Sequence, residues 1–450
     1  MSTIAAISTA PGVGGIGIVR MSGDNCFEIL DKFFVQKNKQ KIENIKGYSI
    51  KYGIIMDNNE IIDEVLVSIM LAPKTFTKED IVEINCHGGI NTTNKVLELI
   101  LSNGARLAEP GEFTKRAFLN GRIDLTQADG IMNLIEAKTD ISRKMSINQL
   151  NGQVSNIIKD LRSQLVDIIS NIEVNIDYPE YEDIEVVTND TIYPQVLLIQ
   201  QELTKIIKKS EDGKIINDGI NIGIIGRPNV GKSSLLNTLL EEEKAIVTDI
   251  EGTTRDIVEG KIIINGIVCN IIDTAGIRET DNIVEQIGVT KSLNIINSSD
   301  LIIMILNNNE PITTEELELL AKIKNKNHII VINKIDLENK LNIYIEDAIK
   351  ISIKDNTGIE DIKNRISEIF NLDKISTSDM SYLSTARSIS LLKQSLNKIN
   401  ECLNNITIST PIDIIELDLK ECWNTLGEII GETYTDELID EIFSRFCLGK

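Results

Sequence analysis

Apolar residues change their spacing repeatedly along the chain, and each change separates segments of different predicted structure. Residues 1–118 carry short β-type apolar runs and one helical stretch, which predicts a small α+β domain. In residues 119–215 apolar positions recur every three or four residues, as in long amphipathic helices. Residues 216–373 alternate apolar strands with helical stretches, the pattern of a doubly wound α/β domain. Residues 374–450 return to helical spacing.

The order of these segments predicts a multidomain chain. An α+β N-terminal domain comes first, and an all-α helical domain follows it. An α/β domain is inserted into the helical domain, so residues 119–215 and 374–450 are expected to be its two halves, packed against each other.

The composition then excludes several classes of protein. The net charge of −22 argues against binding nucleic acid by broad phosphate neutralisation, although a local basic patch stays compatible with it. The six cysteines form no C-x-x-C pair, so neither a disulfide framework nor a zinc site is indicated. No apolar run approaches the ~18 residues of a membrane span, which predicts a soluble, cytoplasmic protein with no membrane partner.

A phosphate-binding loop is predicted at GRPNVGKS, residues 226–233, which follows an apolar strand and precedes a helical run. Its glycines let backbone N–H groups close around phosphate oxygens at a helix N-terminus. Lys232 can reach the β- and γ-phosphates, and Ser233 can ligate Mg²⁺. The predicted nucleotide contacts of this loop are Asn229, Val230, Gly231, Lys232, Ser233 and Ser234.

A second phosphate motif, DTAG, follows the strand IVCNII, which the hairpin signal Asn265-Gly266 joins to the strand before it. At a strand end Asp273 can support the magnesium shell, while the Gly276 N–H faces the γ-phosphate. The predicted contacts here are Asp273, Thr274, Ala275 and Gly276.

The guanine base is read by N-K-x-D, which is present as Asn333, Lys334 and Asp336 at the end of the strand HIIVIN. Asp336 can accept both N1–H and N2–H of guanine, whereas adenine has an acceptor at N1 and no N2 amine. Ser352 and Lys354 fall where a further base-contacting loop is expected, although Ile353 replaces the small residue usual there. Together the motifs predict a protein that binds and hydrolyses GTP.

The catalytic part of the site departs from Ras-like enzymes. The residue after the DTAG glycine is Ile277, which cannot polarise water as the usual Gln does, so another group must orient the nucleophile. The loop TDIEGTTRD, residues 248–256, supplies Thr254 as the natural second magnesium ligand beside Ser233.

At this point the chain resembles the MnmE (TrmE) family of tRNA-modifying GTPases, in which a hydrophobic residue replaces the catalytic Gln. The resemblance spans the whole length, and the marks outside the GTPase motifs are the most specific. The marks outside the GTPase domain are GGIGIVRMSG from Gly14, CHGG from Cys86, PGEFTKRAFLNGRIDL from Pro110 and the terminal FCLGK, and those within it are GRPNVGKSS, TDIEGTTRD and DTAGIRET.

For catalysis the resemblance implies that K⁺ takes the role of an arginine finger and favours pairing of two GTPase domains. It places K⁺ beside Asn229 and the backbone of Thr248, Ile250 and Thr253, and it places Thr248, Thr253 and Thr254 with the nucleotide. It also implies that Glu285 orients the water. From the residues alone, a solvated helix face explains Glu285 better.

For the N-terminal domain the resemblance implies dimerisation and a tetrahydrofolate carrier, 5,10-methylenetetrahydrofolate or a 5-formyltetrahydrofolate-like ligand. The matching positions are Arg20, Glu83, Arg122 and Lys450, with Cys447 as a functional thiol. A carboxylate can pair with pterin N–H groups, and Arg can hold the glutamate tail. Taken alone, the two arginines fit surface ions, Glu83 fits a strand end, and Cys447 fits a small buried apolar residue.

Some features of this domain depart from expectation or have plainer explanations. Arg122 stands where Lys is common, and Glu109 replaces a usual Arg before PGEF, which can weaken a local anion contact. GVGGIG, residues 12–17, matches the dinucleotide fingerprint, but a strand-like run follows it where a Rossmann site requires a helix. Its glycines are better explained by tight turns or close backbone approach, and His87 by a turn with its neighbouring glycines.

The implied function is a GTPase that adds a carboxymethylaminomethyl-type group at C5 of the wobble uridine of certain tRNAs. The implied assembly is a homodimer that joins the FAD-dependent partner MnmG in a heterotetramer. One alternative is a regulatory switch in ribosome assembly, for which no KH-like GXXG with a basic surround is evident. Another is a folate-binding scaffold with a vestigial GTPase domain, against which Lys232, Ser233, Thr254 and Asp273 are intact.

Overall fold

The structure is a computed structural model, and it describes residues 2–37, 47–177, 188–242, 260–272, 294–377 and 382–449. The chain divides into two compact units, and each is described here by itself. Unit 1 comprises Met1–Met132, Leu150–Leu197 and Asn397–Lys450, and unit 2 comprises Asn133–Gln149 and Leu198–Leu396. Helical residues fall into both units, so the units do not coincide with the expected domains, whose boundaries stay predictions.

Unit 1 contains a seven-stranded sheet of order β3-β4-β5-β6-β2-β1-β7, antiparallel except for the parallel pair β1–β7. The strands are β1 Ile4–Ile7, β2 Gly17–Ser22, β3 Phe34–Gln36, β4 Ser49–Asp57, β5 Glu60–Met70, β6 Ile81–Cys86 and β7 Arg106–Leu107. The short helices of this region are α1 Cys26–Asp31, α2 Ile90–Ser102 and α3 Glu112–Leu119. Because Gly17 opens a strand, the dinucleotide fingerprint is correctly rejected.

Side-chain alternation in β2 and β6 decides which residues face the core of this sheet. Val82 and Ile84 are buried in an apolar cluster that also contains residues of α1 and α2. Glu83 lies between them in β6, so it points to the opposite face. Arg20 is its direct register partner in β2, which places the two side chains on the same face.

Helices of 9 to 30 residues form in the two segments whose apolar spacing predicts helix. They are α4 Leu125–Glu136, α5 Asp140–Leu150, α6 Gln153–Asp177, α7 Asn189–Asp218, α12 Ala386–Thr407, α13 Ile412–Ile430 and α14 Asp436–Ser444. Within unit 1, the Arg162 guanidinium of α6 lies 4.1 Å from the ring centroid of Trp423 in α13. Among the described residues, no helix combines the length and apolar character needed to span a bilayer.

Unit 2 contains a six-stranded sheet of order β13-β12-β11-β8-β10-β9, parallel except for the hairpin β9–β10. The strands are β8 Ile220–Ile225, β9 Gly260–Ile264, β10 Ile267–Ile272, β11 Leu301–Asn307, β12 His328–Asn333 and β13 Ile349–Lys350. Its other helices are α8 Lys232–Glu242, α9 Thr314–Ile323, α10 Ile359–Phe370 and α11 Leu372–Thr377. The hairpin predicted at Asn265-Gly266 is confirmed, with φ values of +48° and +80°.

The central strand β11 shows why the sequence reads as an apolar run. All seven of its residues are buried, because alternate side chains enter two different clusters. Ile303 and Ile305 belong to one cluster, and Ile302 and Met304 belong to the other. A parallel strand covered on both faces has no polar side, so the carboxyl ends of the strands are the natural place for polar chemistry.

Candidate functional site

The phosphate-binding loop connects β8 to α8 and is shaped by residues with left-handed backbone. Asn229 has a φ of +65° and Gly231 a φ of +107°. A Cβ atom on Gly231 would lie only 2.3 Å from Nδ2 of Asn333. Gly231 is therefore required both by its own backbone and by the side chain packed against it.

Lys232 is the first residue of α8, and its side chain bonds to the backbone of the phosphate-binding loop. Its Nζ donates to the carbonyl oxygens of Gly226 and Arg227, each at 2.8 Å. Ser233 and Ser234 follow in the first helical turn and are exposed, while Val230 is buried beneath the loop. The ammonium and the first turn of the helix thus converge where a phosphate chain would be held.

Asn333 links three loops and is only 3% exposed. Its Nδ2 donates to the carbonyl of Val230 at 2.8 Å, which ties the end of β12 to the phosphate loop. Its Oδ1 accepts from the backbone N–H groups of Lys334 at 2.7 Å and Ile353 at 3.4 Å. Both amide atoms are thereby used inside the protein, so in this structure Asn333 orders the loops around the site.

The base-recognition end of the site is formed by the loops after β12 and β13. Asp336 is exposed, and its Oδ1 accepts a hydrogen bond from Oγ of Ser352 at 3.0 Å. Lys334 has a φ of +65°, and Lys354 is exposed two residues beyond Ser352. Ser352, which belongs to the loop with the weakest match to a base-contacting motif, therefore contacts Asp336, the residue expected to bind guanine.

Ile353, which departs from the small residue expected there, has a packing role. Its Cδ1 lies 3.3 Å from the position of a Cβ atom on Gly231. It is partly buried against the main apolar cluster of unit 2. A larger residue is tolerated at this position because its side chain fills the space beside the phosphate loop.

Three features of this site fit a guanine nucleotide: an ammonium inside a glycine loop, a helix N-terminus, and an exposed carboxylate in the loop after a parallel strand. The remaining predicted residues of this site lie outside the described part of the chain. They are Thr248, Ile250, Thr253, Thr254, Asp273, Thr274, Ala275, Gly276, Ile277 and Glu285. The described strand β10 ends at Ile272, directly before this second phosphate motif in sequence, and pairs with β8.

In unit 1, Arg20 and Glu83 form an ion pair on the sheet face described above. Nε and Nη2 of Arg20 lie 2.8 Å and 2.7 Å from Oε1 of Glu83, and the two side chains are 19% and 22% exposed. The guanidinium also lies 5.6 Å from the ring centroid of Phe113. The pair is thus sheltered but open to a ligand.

The C-terminal segment lies against this ion pair. The carbonyl of Gly449 accepts from Nη1 of Arg20 at 3.3 Å and from Oγ of Ser8 at 3.2 Å. Gly449 has a φ of +87°, and a Cβ atom there would lie 2.3 Å from the carbonyl oxygen of Ile7. Cys447 is exposed, whereas the other five cysteines are buried. Lys450 lies outside the described residues.

Arg122, the second of the two arginines predicted to contact folate, lies against a different aromatic ring. Its guanidinium lies 4.8 Å from the ring centroid of Phe76. Phe76 packs against the small apolar cluster that contains Phe113, so the rings beneath Arg20 and Arg122 belong to one cluster. Glu109, which replaces a usual Arg, has an exposed side chain.

A buried ion network centred on the segment PGEFTKRAFL was not predicted from the sequence. Arg116 is 3% exposed, and its Nη1 lies 3.1 Å and 2.9 Å from the two carboxylate oxygens of Glu79. Its Nη2 lies 3.0 Å from Glu112, which also pairs with Arg106 at 2.6 Å. The spacing of Glu112 and Arg116, one helical turn apart, was the only available signal, and such pairs are usually exposed.

His87 and the two glycine-rich segments have structural roles. His87 Nδ1 lies 2.6 Å from Oδ1 of Asp63, and its backbone N–H donates to Oδ2 at 2.7 Å. The N–H of Gly14 donates to the carbonyl of Gly88 at 3.0 Å, which confirms close backbone approach between GVGGIG and CHGG. Burial raises the pKa of the neighbouring Cys86 thiol to about 11, so this cysteine is an unreactive thiol near neutral pH.

Comparison with known proteins gives consistent matches along the chain. The family described as the MnmE helical domain matches residues 125–447, and the GTP-binding protein TrmE N-terminus matches residues 3–122. The tRNA modification GTPase MnmE of Staphylococcus haemolyticus is 47% identical over 457 residues, covering 100% of this chain and 99% of that one. The protein of that name from Bacillus cytotoxicus is 48% identical, with the same coverage of both chains.

Among the solved structures, the similarity to a GTPase domain is weak. The FeoB G-domain of Methanococcus jannaschii is 25% identical, covers 34% of this chain and 97% of its own, and gives a TM-score of 0.24, on which we base no conclusion. The family matches and the full-length relatives carry the assignment instead. The chain therefore belongs to the MnmE family of tRNA modification GTPases.

Proposed function

We propose that this chain uses GTP hydrolysis to drive addition of a carboxymethylaminomethyl-type group at C5 of the wobble uridine of certain tRNAs. It acts in the cytoplasm as a homodimer, in a heterotetramer with the FAD-dependent partner MnmG. Full-length relatives that are named tRNA modification GTPases support this function over a ribosome-assembly switch. The net charge of −22 is consistent with a partner that supplies most of the tRNA contact.

The observation that carries the proposal is the sheltered Arg20–Glu83 pair with the chain end beside it, outside the phosphate and base loops. In this proposal Glu83 accepts from pterin N–H groups, and Arg20 and Arg122 hold anionic parts of a folate. The folate supplies the one-carbon unit when bound. Cys447 is an exposed thiol two residues from Gly449, close enough in sequence to serve this site, and Lys450 extends the same segment.

For hydrolysis we propose that Lys232 and the backbone of residues 229–234 hold the phosphates. Ser233 and Thr254 ligate Mg²⁺, and the DTAG motif that begins at Asp273 supports the magnesium shell and contacts the γ-phosphate. Asp336 binds the guanine base together with Ser352 and Lys354. Glu285 orients the attacking water, because Ile277 cannot. K⁺ bound at Asn229 and the backbone of Thr248, Ile250 and Thr253 supplies a positive charge at the transition state and favours pairing of two GTPase domains.

Displacing the C-terminal segment should block tRNA modification without blocking GTP hydrolysis. Gly449→Ala would place a Cβ atom 2.3 Å from the Ile7 carbonyl, so the segment must leave Arg20 and Ser8. We expect the modified wobble nucleoside to fall at least about tenfold in cells that contain only this variant, because a displacement of this size spoils positioned contacts. The purified variant should keep its GTP turnover, since the GTP motifs lie in unit 2.

Nucleoside analysis of total tRNA measures this result. Gly47→Ala is a matched control, because Gly47 has a φ of +76° but no atom of the described residues within 4 Å of an added Cβ. Normal modification in the Gly449→Ala strain would contradict the folate-site assignment. Wobble uridines that are unchanged in cells lacking the protein altogether would refute the proposed function.

The potassium proposal predicts faster GTP turnover in K⁺ than in Na⁺. We expect a difference of roughly tenfold or more, because a correctly placed positive charge is worth several kcal/mol in phosphoryl transfer. Asn229→Gly keeps the left-handed backbone, at a φ of +65°, and removes the amide that would ligate the ion. This variant should bring the ratio of the two rates toward one, and equal rates in the unsubstituted protein would rule out the potassium site.

A further inference from the structure

Asn308 follows β11 directly and makes four hydrogen bonds, one to the last residue of β12 and three to the loop after it. Its N–H donates to the carbonyl of Asn333 at 2.9 Å, and its own carbonyl accepts from the N–H groups of Lys340 at 2.8 Å and Leu341 at 3.1 Å. Its side-chain Nδ2 donates to the carbonyl of Leu337 at 3.1 Å. Asn308 is 8% exposed, so these bonds are sheltered from water.

The loop that receives these bonds carries Asp336 and has little structure of its own. No helix or strand is present between β12 and β13, both of which are fully described along with the residues that join them. Asp336 and Leu337 are exposed, so burial does little to hold them in place. The position of the Asp336 carboxylate therefore depends on hydrogen bonds, which are its own bond from Oγ of Ser352 and those made by the loop backbone.

Only one of the four bonds depends on the identity of residue 308. Any residue except proline could supply the backbone N–H and C=O, but the bond to the Leu337 carbonyl requires a short side chain that ends in a donor. Leu337 directly follows Asp336, and its N–H donates to the carbonyl of Lys334 at 3.0 Å. The Asn308 amide thus anchors a tight turn that has Asp336 within it.

We propose that Asn308 is a positioning residue for base recognition, which holds the Leu337 carbonyl and thereby aims the Asp336 carboxylate at guanine. This inference rests on the proposed contact between Asp336 and the base. Residue 308 belongs to none of the nucleotide motifs, and an Asn-rich stretch has no functional meaning as a sequence. Its role follows only from its place at the carboxyl end of β11, beside β12.

The segment around Asn308 also reaches the phosphate loop, but more weakly. Nδ2 of Asn307 donates to Oε1 of Glu310 at 2.7 Å, and Oε2 of Glu310 lies 3.1 Å from Nη1 of Arg227. The Arg227 and Glu310 side chains are 36% and 49% exposed, and exposed ion pairs contribute little. A substitution of Asn308 should therefore affect recognition of the base more than binding of the phosphates.

The test compares binding of GDP and IDP to the full-length chain. IDP lacks the N2 amine but keeps N1–H, so the ratio of the two dissociation constants reports the second hydrogen bond to Asp336. Asn308→Asp has almost the same shape, yet its carboxylate repels the Leu337 carbonyl. We expect GDP affinity to fall about tenfold and the GDP/IDP ratio to approach one. The kcat at saturating GTP should stay unchanged.

Two controls make the outcome decisive. Asn309→Ala alters the neighbouring Asn, and its GDP/IDP ratio should equal that of the unsubstituted chain. Asp336→Ala measures the base contact itself: if it leaves the ratio unchanged, the proposed guanine contact fails. If Asp336→Ala removes the discrimination while Asn308→Asp keeps it, the role of Asn308 is refuted. Asn308→Ala, which only removes the donor, replaces Asn308→Asp if that variant does not fold, and the same outcomes apply.

Discussion

Gly231→Ala is expected to weaken GTP binding by about 100-fold or more. The added Cβ would lie 2.3 Å from Nδ2 of Asn333, at a residue whose φ is +107°. Forcing an L-residue into such a conformation costs about 1–3 kcal/mol. Displacing the buried Asn333 amide from the Val230 carbonyl costs about 1–3 kcal/mol more. The phosphate loop and the base loops would therefore lose their common anchor.

The measurement is equilibrium binding of a fluorescent GTP analogue to the full-length chain. Gly104→Ala is the matched control, because Gly104 has a φ of +119° and, within the part of the chain that the structure describes, no atom lies within 4 Å of an added Cβ. The control carries comparable backbone strain in unit 1, and its nucleotide affinity should not change. Tight binding by Gly231→Ala would show that the loop geometry described here is not the one that holds the phosphates.

Arg116→Met is expected to destabilise unit 1 by about 3–5 kcal/mol. The change leaves the carboxylate of Glu79 buried without its main partner, and breaking one side of a buried ion pair has costs of this size. The side chains of Arg116 and Glu79 are 4% and 10% exposed, so water cannot replace the lost bonds easily. Arg106 still pairs with Glu112 and limits the loss there.

The only tryptophan of the chain, Trp423, lies in unit 1, so its fluorescence during denaturation follows that unit alone. Arg445→Met is the control, because its ion pair with Glu441 is exposed, at 76% and 66%, and should be worth less than about 1 kcal/mol. Equal midpoints for the two variants would show that the buried network contributes no more than a surface pair.

The same network gives the direction of a pH effect. Burial raises the pKa of Glu112, but hydrogen bonds from Arg106, the Glu109 N–H and Arg116 outweigh burial and hold the pKa below its ordinary value of 4.5. A lowered pKa means that the folded state binds fewer protons than the unfolded state. The Glu112 carboxylate therefore contributes to the free energy of unfolding above pH 4.5, and this contribution is lost as the pH falls through its folded-state pKa. Arg116→Met should reduce this acid sensitivity.

The roles of Gly231 and Arg116 are not equally predictable from the sequence. Gly231 belongs to a motif in which each residue type has a local chemical reason, so its role could be expected from spacing alone. Arg116 was visible only as a basic residue one turn after Glu112. Its burial depends on Glu79, which lies 37 positions earlier in the chain, and no local pattern brings the two together.

The fold types were predictable because they depend on short-range periodicity. Apolar spacing distinguishes strands from helices within a few residues, and the buried run of β11 follows directly from a strand covered on both faces. The turn at Asn265-Gly266 was predictable for the same reason, since its residues tolerate positive φ. The two compact units were not predictable, because they depend on which helices pack against which sheet.

Local chemistry along the chain already predicts a protein that binds a guanine nucleotide, because each motif has residue types suited to phosphate, magnesium or base contacts at the end of a predicted strand. Contacts between distant segments required the tertiary structure. Gly449 reaches Arg20 across 429 positions, and the Asn308 side chain reaches Leu337 across 29. Hydrogen bonds of this kind form only after the chain has closed large loops, and nothing in the spacing of residues records which ends will meet.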